Sequence, residues 1–186
     1  MKQILYECNF QNIYENGCRF PLKSTIDAIK NTMKLKQNYE LKTECLSMPK
    51  LRTFNLFKDF ENQPTYLTKP LTFYERKSLA NFRSGSFKIR VETQRYFRPK
   101  IPYEQRFCVT CSNEKYEIEC ESHYLFSCTS YSDLRHAWFS RLEIPENFDL
   151  LSLEEKLKLV LNHPTNIKPT AKFIIDAFNA RSKILF

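Results

Sequence analysis

Apolar residues recur mostly at helical spacing along this chain. Over STIDAIKNTMKLKQNYELKTECL, residues 24–46, Ile26, Ile29, Met33 and Leu35 lie near one face, which predicts a long helix stopped by Pro49. Ser24 and Asp27 resemble a capping box at its start. Leu51, Phe54, Phe57 and Phe60 predict a second helix over 51–62, with Pro64 and Pro70 bracketing the loop after it. LTFYERKSLANFR (71–83) predicts a third, with Phe73, Leu79, Ala80 and Phe82 facing one way and its end before Gly85. The period then changes. FKIRVET (87–93) alternates Phe, Ile and Val with Lys, Arg and Glu, which predicts a strand. Helical spacing returns in SYSDLRHAWFSRL (130–142) and again in SLEEKLKLVLNH. There Ser152 and Glu155 form a capping box, and Leu157, Leu159, Val160 and Leu161 supply an apolar face. A last helix, PTAKFIIDAFNARSKIL, opens on Pro169, a favoured first helical position.

Composition narrows the class. With 42% hydrophobic and 15% aromatic residues the chain can build a core. Gly17 and Gly85 are its only glycines, which argues against a Gly-rich phosphate loop and against a barrel of tight turns. No stretch approaches the roughly 20 apolar residues of a membrane span. The apolar run in MKQILYECNF is too short for a secretory signal, so an intracellular protein, nuclear or cytoplasmic and without a membrane partner, is expected. Seven cysteines fit a closed disulfide set poorly, and clustered cysteines in a reducing compartment point to metal.

FCVTCSNEKYEIECESHYLFSC carries the strongest chemical signal. Its spacing, Cys108-x2-Cys111-x11-His123-x4-Cys128, offers three thiolates and an imidazole to one tetrahedral zinc ion. A two-residue gap lets one tight turn, through Val109 and Thr110, aim both sulfurs at a point and leaves backbone N–H groups free to bond them. Four protein ligands leave no open position, so the ion is read as structural. A rival set, Cys108, Cys111, Cys120 and His123, would leave Cys128 free. The set with Cys128 is preferred, because one helical turn through Tyr124, Leu125 and Phe126 would bring His123 and Cys128 to one side. The acidic run Glu114, Glu117, Glu119 and Glu121 reads as a solvated rim, from which one carboxylate could orient His123 through its second nitrogen.

Charge adds a second feature. The chain holds 29 Lys+Arg against 21 Asp+Glu, a net +8, which favours an acidic partner. Much of the excess sits just before the cysteines, where Arg83, Lys88, Arg90, Arg95, Arg98, Lys100 and Arg106 face only Glu92 and Glu104. Phe82, Phe87, Tyr96, Phe97, Tyr103 and Phe107 are interleaved with them. The cations are candidate phosphate contacts, and any exposed ring could stack on an unpaired base. Phe82, Phe87 and Phe107 read as core, and of the adjacent Tyr96 and Phe97 only one can point inward in an extended chain.

LRTFNLFK, RKSLANFRSGSFKIRVETQRY, RFCVTC and IECESHYLFSCTSYSDLRHAWF together resemble the C-terminal zinc-binding region of non-LTR (LINE-type) retrotransposon reverse transcriptases. The resemblance covers roughly residues 51–142. It departs from the family pattern at Gln94, where the family has Gly, at Cys120, an acidic position there, and at Thr129, often Pro. It implies binding of template RNA or target DNA, and association with a full-length polymerase as one context. It does not imply polymerisation: the family's Asp-Asp pair for Mg²⁺ is absent from this chain, which reads as a detached, non-catalytic tail.

The expected fold class is mainly α with a small zinc-binding module and at most one short β-hairpin. Three regions are expected: 1–50 with one long helix, 51–142 with helices, basic strip and zinc module, and 143–186 as a C-terminal helical pair. Two rivals stand beside the nucleic-acid reading. One is a zinc-stabilised protein-interaction module that docks through its terminal helices, and the other a cysteine-dependent enzyme using Cys120.

Overall fold

A computed structural model describes residues 6, 10, 11, 15, 22–58, 62–111 and 117–185. Phe60 of the predicted second helix and Glu114 of the acidic run lie outside them. The chain divides into two units, Met1–Ser47 and Met48–Phe186. In the first, helix α1 (Leu22–Ser47) runs for 26 residues. It begins earlier than predicted, so Ser24 lies inside the helix and not at its cap. No described side chain of α1 is buried. Good helix formers such as Ala28, Leu35 and Lys36 sustain it, and Leu35 stays exposed.

The second unit is mainly α, as the pattern of the sequence predicts. Pro49–Leu51 makes a 3₁₀ turn into α2 (Arg52–Phe57), which ends well short of the predicted limit because Lys58 is already extended. Helix α3 (Phe73–Arg83) starts at a capping box that the sequence reading missed. Thr72 Oγ1 accepts from Glu75 N at 3.3 Å, and Thr72 N donates to Glu75 Oε2 at 2.7 Å. Leu79 and Phe82 are buried as predicted. Phe73 is 70% exposed instead, because the first turn of α3 contributes nothing to the packed face. The helix ends at Gly85, with φ +65°. A Cβ there would sit 2.3 Å from the Lys50 carbonyl oxygen, so both backbone conformation and space demand glycine.

The predicted strand over 87–93 does not form. Ile89 N bonds Phe87 O at 2.8 Å, and Arg90–Thr93 closes a helical turn, α4. Phe87, Ile89 and Val91 are still buried. A bent segment thus inserts the alternate residues, with no partner strand beside it. Glu119 holds the bend: its Oε2 accepts from Arg90 N at 2.8 Å and its carbonyl from Val91 N at 3.3 Å. The one hairpin allowed for is reduced to an isolated antiparallel bridge, Phe107 to Ile118, among the described residues.

Helices α5 (Ser132–Phe139), α6 (Leu153–Asn162) and α7 (Ile167–Leu185) complete the unit. The Ser152–Glu155 capping box opens α6 as expected. Helix α7 begins at Ile167, ahead of Pro169. It packs against α3, α5 and α6, while α6 also packs against α2. Tyr124 lies at the centre of the core, within 5.9 Å of Phe82, 5.3 Å of Phe87 and 5.1 Å of Tyr131, centroid to centroid. Its hydroxyl donates to Ile174 O at 3.0 Å, so burying the ring strands no polar atom. No described helix is long and apolar enough to cross a membrane.

Candidate metal centre

The Cys108–Cys111 turn, with Val109 and Thr110 at its tip, presents two sulfurs. The other two ligands come from the segment after Ile118. His123–Ser127 forms a π turn in which Cys128 N bonds His123 O at 2.8 Å. Such a turn pairs residues five apart, so it matches the His123-x4-Cys128 interval and sets both side chains on one side. The sequence predicted one helical turn here, and the turn is wider than an ordinary α turn. Tyr124 and Leu125, on the same turn, are driven into the core and anchor it.

These four side chains converge. Cys111 Sγ lies 3.2 Å from His123 Nε2 and 3.4 Å from Cys128 Sγ, and Cys108 Sγ lies 3.9 Å from Cys128 Sγ. All four ligand atoms fall within 4.8 Å of one another. Ligands at about 2.3 Å for sulfur and about 2.0–2.1 Å for nitrogen around a tetrahedral ion stand about 3.5–3.8 Å apart, so the cluster can hold a metal ion. Cys120 is not in it. Its Sγ lies 3.0 Å from Ser122 Oγ, and the ligand set is the one that contains Cys128.

The surroundings are built for this. Glu117 Oε2 accepts from His123 Nδ1 at 2.7 Å, which leaves Nε2 for the metal. Burial pushes the His123 pKa down, but Cys108 and Glu117 outweigh it and the net shift is upward. The Cys128 thiol, with His123 and Thr110, holds Cys108 well below the usual thiol range. Cys128 is correspondingly pushed up, first by Cys108 and then by burial. Four contacts were not foreseen. Thr110 Oγ1 lies 3.2 Å from Cys108 Sγ, Ser130 Oγ donates to the Thr110 carbonyl, and Arg135 donates to Leu125 O at 2.7 Å and Cys128 O at 2.6 Å. Arg135 thus ties the π turn, through the Leu125 carbonyl, to the Cys128 carbonyl that follows it. The sequence placed Arg135 only within the predicted 130–142 helix.

The predicted solvated rim is corrected by the same geometry. Glu119 and Glu121 are buried. Arg181 grips Glu119 with two bonds, Nε at 2.8 Å and Nη2 at 3.0 Å, and Arg52 Nη2 and Thr53 Oγ1 hold Glu121 at 2.7 and 3.0 Å. A buried carboxylate is tolerated because each is paired and hydrogen-bonded. The two pairs tie the metal segment to α7 and to α2. Their cationic partners lie far away in sequence, so no local pattern could reveal them.

The basic strip divides in two. Arg83 and Arg106 are not phosphate contacts: both are buried. Arg83 Nη1 donates to Leu161 O at 2.7 Å and Asn162 Oδ1 at 2.8 Å, and burial lowers its pKa to about 10. Arg106 donates to Val91 O at 2.6 Å and to Ile101 O at 2.8 and 3.0 Å. Both act as staples on carbonyls that no helix or strand satisfies. Lys88, Arg98 and Lys100 are exposed, whereas Arg90 and Arg95 are half-buried, with Arg95 3.5 Å from Glu92. Tyr96 and Phe97, of which one was expected inside, are 63% and 48% exposed. No family model, curated protein or solved structure compared with the chain matches it.

Proposed function

We propose that this chain is a non-catalytic nucleic-acid-binding protein whose fold is locked by one structural zinc ion. Three thiolates with one imidazole are the donor set that suits Zn²⁺, and the closed ligand count leaves no position for a substrate. The zinc supplies cohesion, clamping the 108–111 turn to the π turn, while this chain's own cations do the binding. The observation that carries the reading is the open stretch from Lys88 to Lys100. Lys88, Arg98 and Lys100 reach solvent, Arg90 and Arg95 lie half-open, and two aromatic rings stand exposed among them. Cations on a backbone with rings beside them are how single strands are held without base readout. The resemblance to retrotransposon reverse transcriptase tails points the same way and adds a full-length polymerase as a partner in one complex.

The test is fluorescence anisotropy of single-stranded RNA and DNA oligonucleotides across a salt series, on protein whose metal content is measured by native mass spectrometry. One zinc per chain is expected. The logarithm of affinity should fall against the logarithm of salt with a slope of about −3.5, as five cations on a single strand predict. Absence of binding at low salt would favour the reading of a protein-interaction module.

A further inference from the structure

Helices α3 and α7 leave a cleft of about 460 Å³ between them, within the range of about 300–1,000 Å³ typical of small-ligand sites. One wall is a single face of α3, where Tyr74, Lys77, Ser78 and Asn81 follow at helical spacing. Phe178 of α7 forms the other wall, and Phe87 packs edge-on against it, 5.3 Å between centroids. Lys88 closes the end.

Three observations identify an occupant. No acidic residue lines the cleft, while Lys77 and Lys88 stand at it, so it favours an anion. Tyr74 makes a T-shaped contact with Phe73, 5.5 Å between centroids, and is still 74% exposed, so it offers a stacking surface next to those cations. Ser78 Oγ is buried with no hydrogen-bond partner, and Asn81 offers a donor and an acceptor side by side. A flat ring with hydrogen-bonding edges and an attached phosphate meets all three demands, whereas an aliphatic chain would leave the hydroxyl and amide unanswered. We propose that this cleft binds a nucleotide, with the base on Tyr74 and Phe178, its edge at Asn81 and Ser78, and the phosphate at Lys77 and Lys88. Lys88 also begins the exposed basic strip, so a strand lying on the strip would deliver one base to the cleft. This inference rests on the nucleic-acid reading above and deepens it, except that a free nucleotide would satisfy the same chemistry.

The experiment uses the zinc-loaded full chain, a labelled single-stranded RNA 12-mer, the same 12-mer with every base removed, and AMP. Variants are Tyr74→Ala, Lys88→Glu and the double change Arg98→Ala with Lys100→Ala. Tyr74→Ala and Lys88→Glu are each expected to weaken the 12-mer about ten-fold, the scale of one lost base stack or phosphate contact. Tyr74→Ala should leave the abasic strand unchanged. If Tyr74→Ala binds the 12-mer like the parent while the double variant weakens, the cleft assignment is overturned and the strip reading stands. If the parent does not bind the 12-mer, the nucleic-acid reading falls. In that case AMP binding that Tyr74→Ala abolishes would keep the cleft as a free-nucleotide site, and no AMP binding would remove it.

Discussion

The metal segment, 108–128, and the basic stretch before it, 88–100, are neighbours in sequence and opposite in construction. In the first, four side chains point at one place, and Glu117, Thr110 and Arg135 fix what the four leave open. In the second, Lys88, Arg98 and Lys100 reach solvent, Arg90 and Arg95 are half-buried, and two rings are exposed. Their difference separates order imposed by convergence from charge that order merely displays. A ligand set is legible because each member constrains the others. A run of cations is not, because a guanidinium serves a buried carbonyl as well as a phosphate. Arg83 and Arg106 went to the carbonyls.

The sharpest way to break the contrast is to remove the metal. Apparent binding energies in small zinc modules are about 10–16 kcal/mol near neutral pH, against about 5–15 kcal/mol of net stability for a domain. Chelation, or Cys128→Ser, should therefore abolish cooperative thermal unfolding of the 48–186 unit, read by circular dichroism. Cys120→Ser should keep one metal per chain by native mass spectrometry. Retained metal in Cys128→Ser with loss in Cys120→Ser would reverse the ligand set.

Next comes the buried ion pair. Arg181→Ala would leave Glu119 buried and unpaired, a cost of about 3–5 kcal/mol in a denaturant titration. Arg98→Ala, on the open side of the comparison, should stay within about 0.5 kcal/mol in the same titration. Equal effects would erase the distinction between the two regions. Between them falls Gly85→Ala, expected to cost about 2–3 kcal/mol from the left-handed backbone and the approach to Lys50. Smallest is the α6 cap. The Glu155 carboxyl is held below its usual range, first by the Ser152 side chain and then by the Ser152 backbone. A group with a depressed folded pKa stabilises above its unfolded pKa and loses that contribution as pH falls through the folded one. Glu155→Gln should flatten the low-pH limb of the melting curve, and an unchanged limb would deny the cap that role.

Much of the fold was legible because its cues are local. Two apolar stripes, at 153–162 behind the Ser152–Glu155 capping box and at 167–185, are helices. Spacing narrowed the ligands to two sets, and the turn from His123 to Cys128 chose between them. The alternation at 87–93 misled because period two describes which residues go inside, and a bend can achieve that as well as a strand does. What made it a bend was Glu119, some thirty positions later, which occupied the backbone donors that a neighbouring strand would have taken. Glu119 and Glu121 in turn were misread because their guanidinium partners belong to other elements. Periodicity cannot report a contact between segments, and the corrections at 87–93, Glu119 and Glu121 are of that kind.

The π turn carries a consequence for how this protein can change. Its interval from His123 to Cys128 is fixed in length by geometry and almost indifferent to the side chain at Ser127, which is exposed. Deleting one residue would restore ordinary helical pitch and swing Cys128 about 100° around the axis, out of the tetrahedron. A substitution at Ser127 is cheap and a single-residue deletion ruinous, whereas Tyr124 and Leu125, buried in the core, are constrained in kind as well as in number.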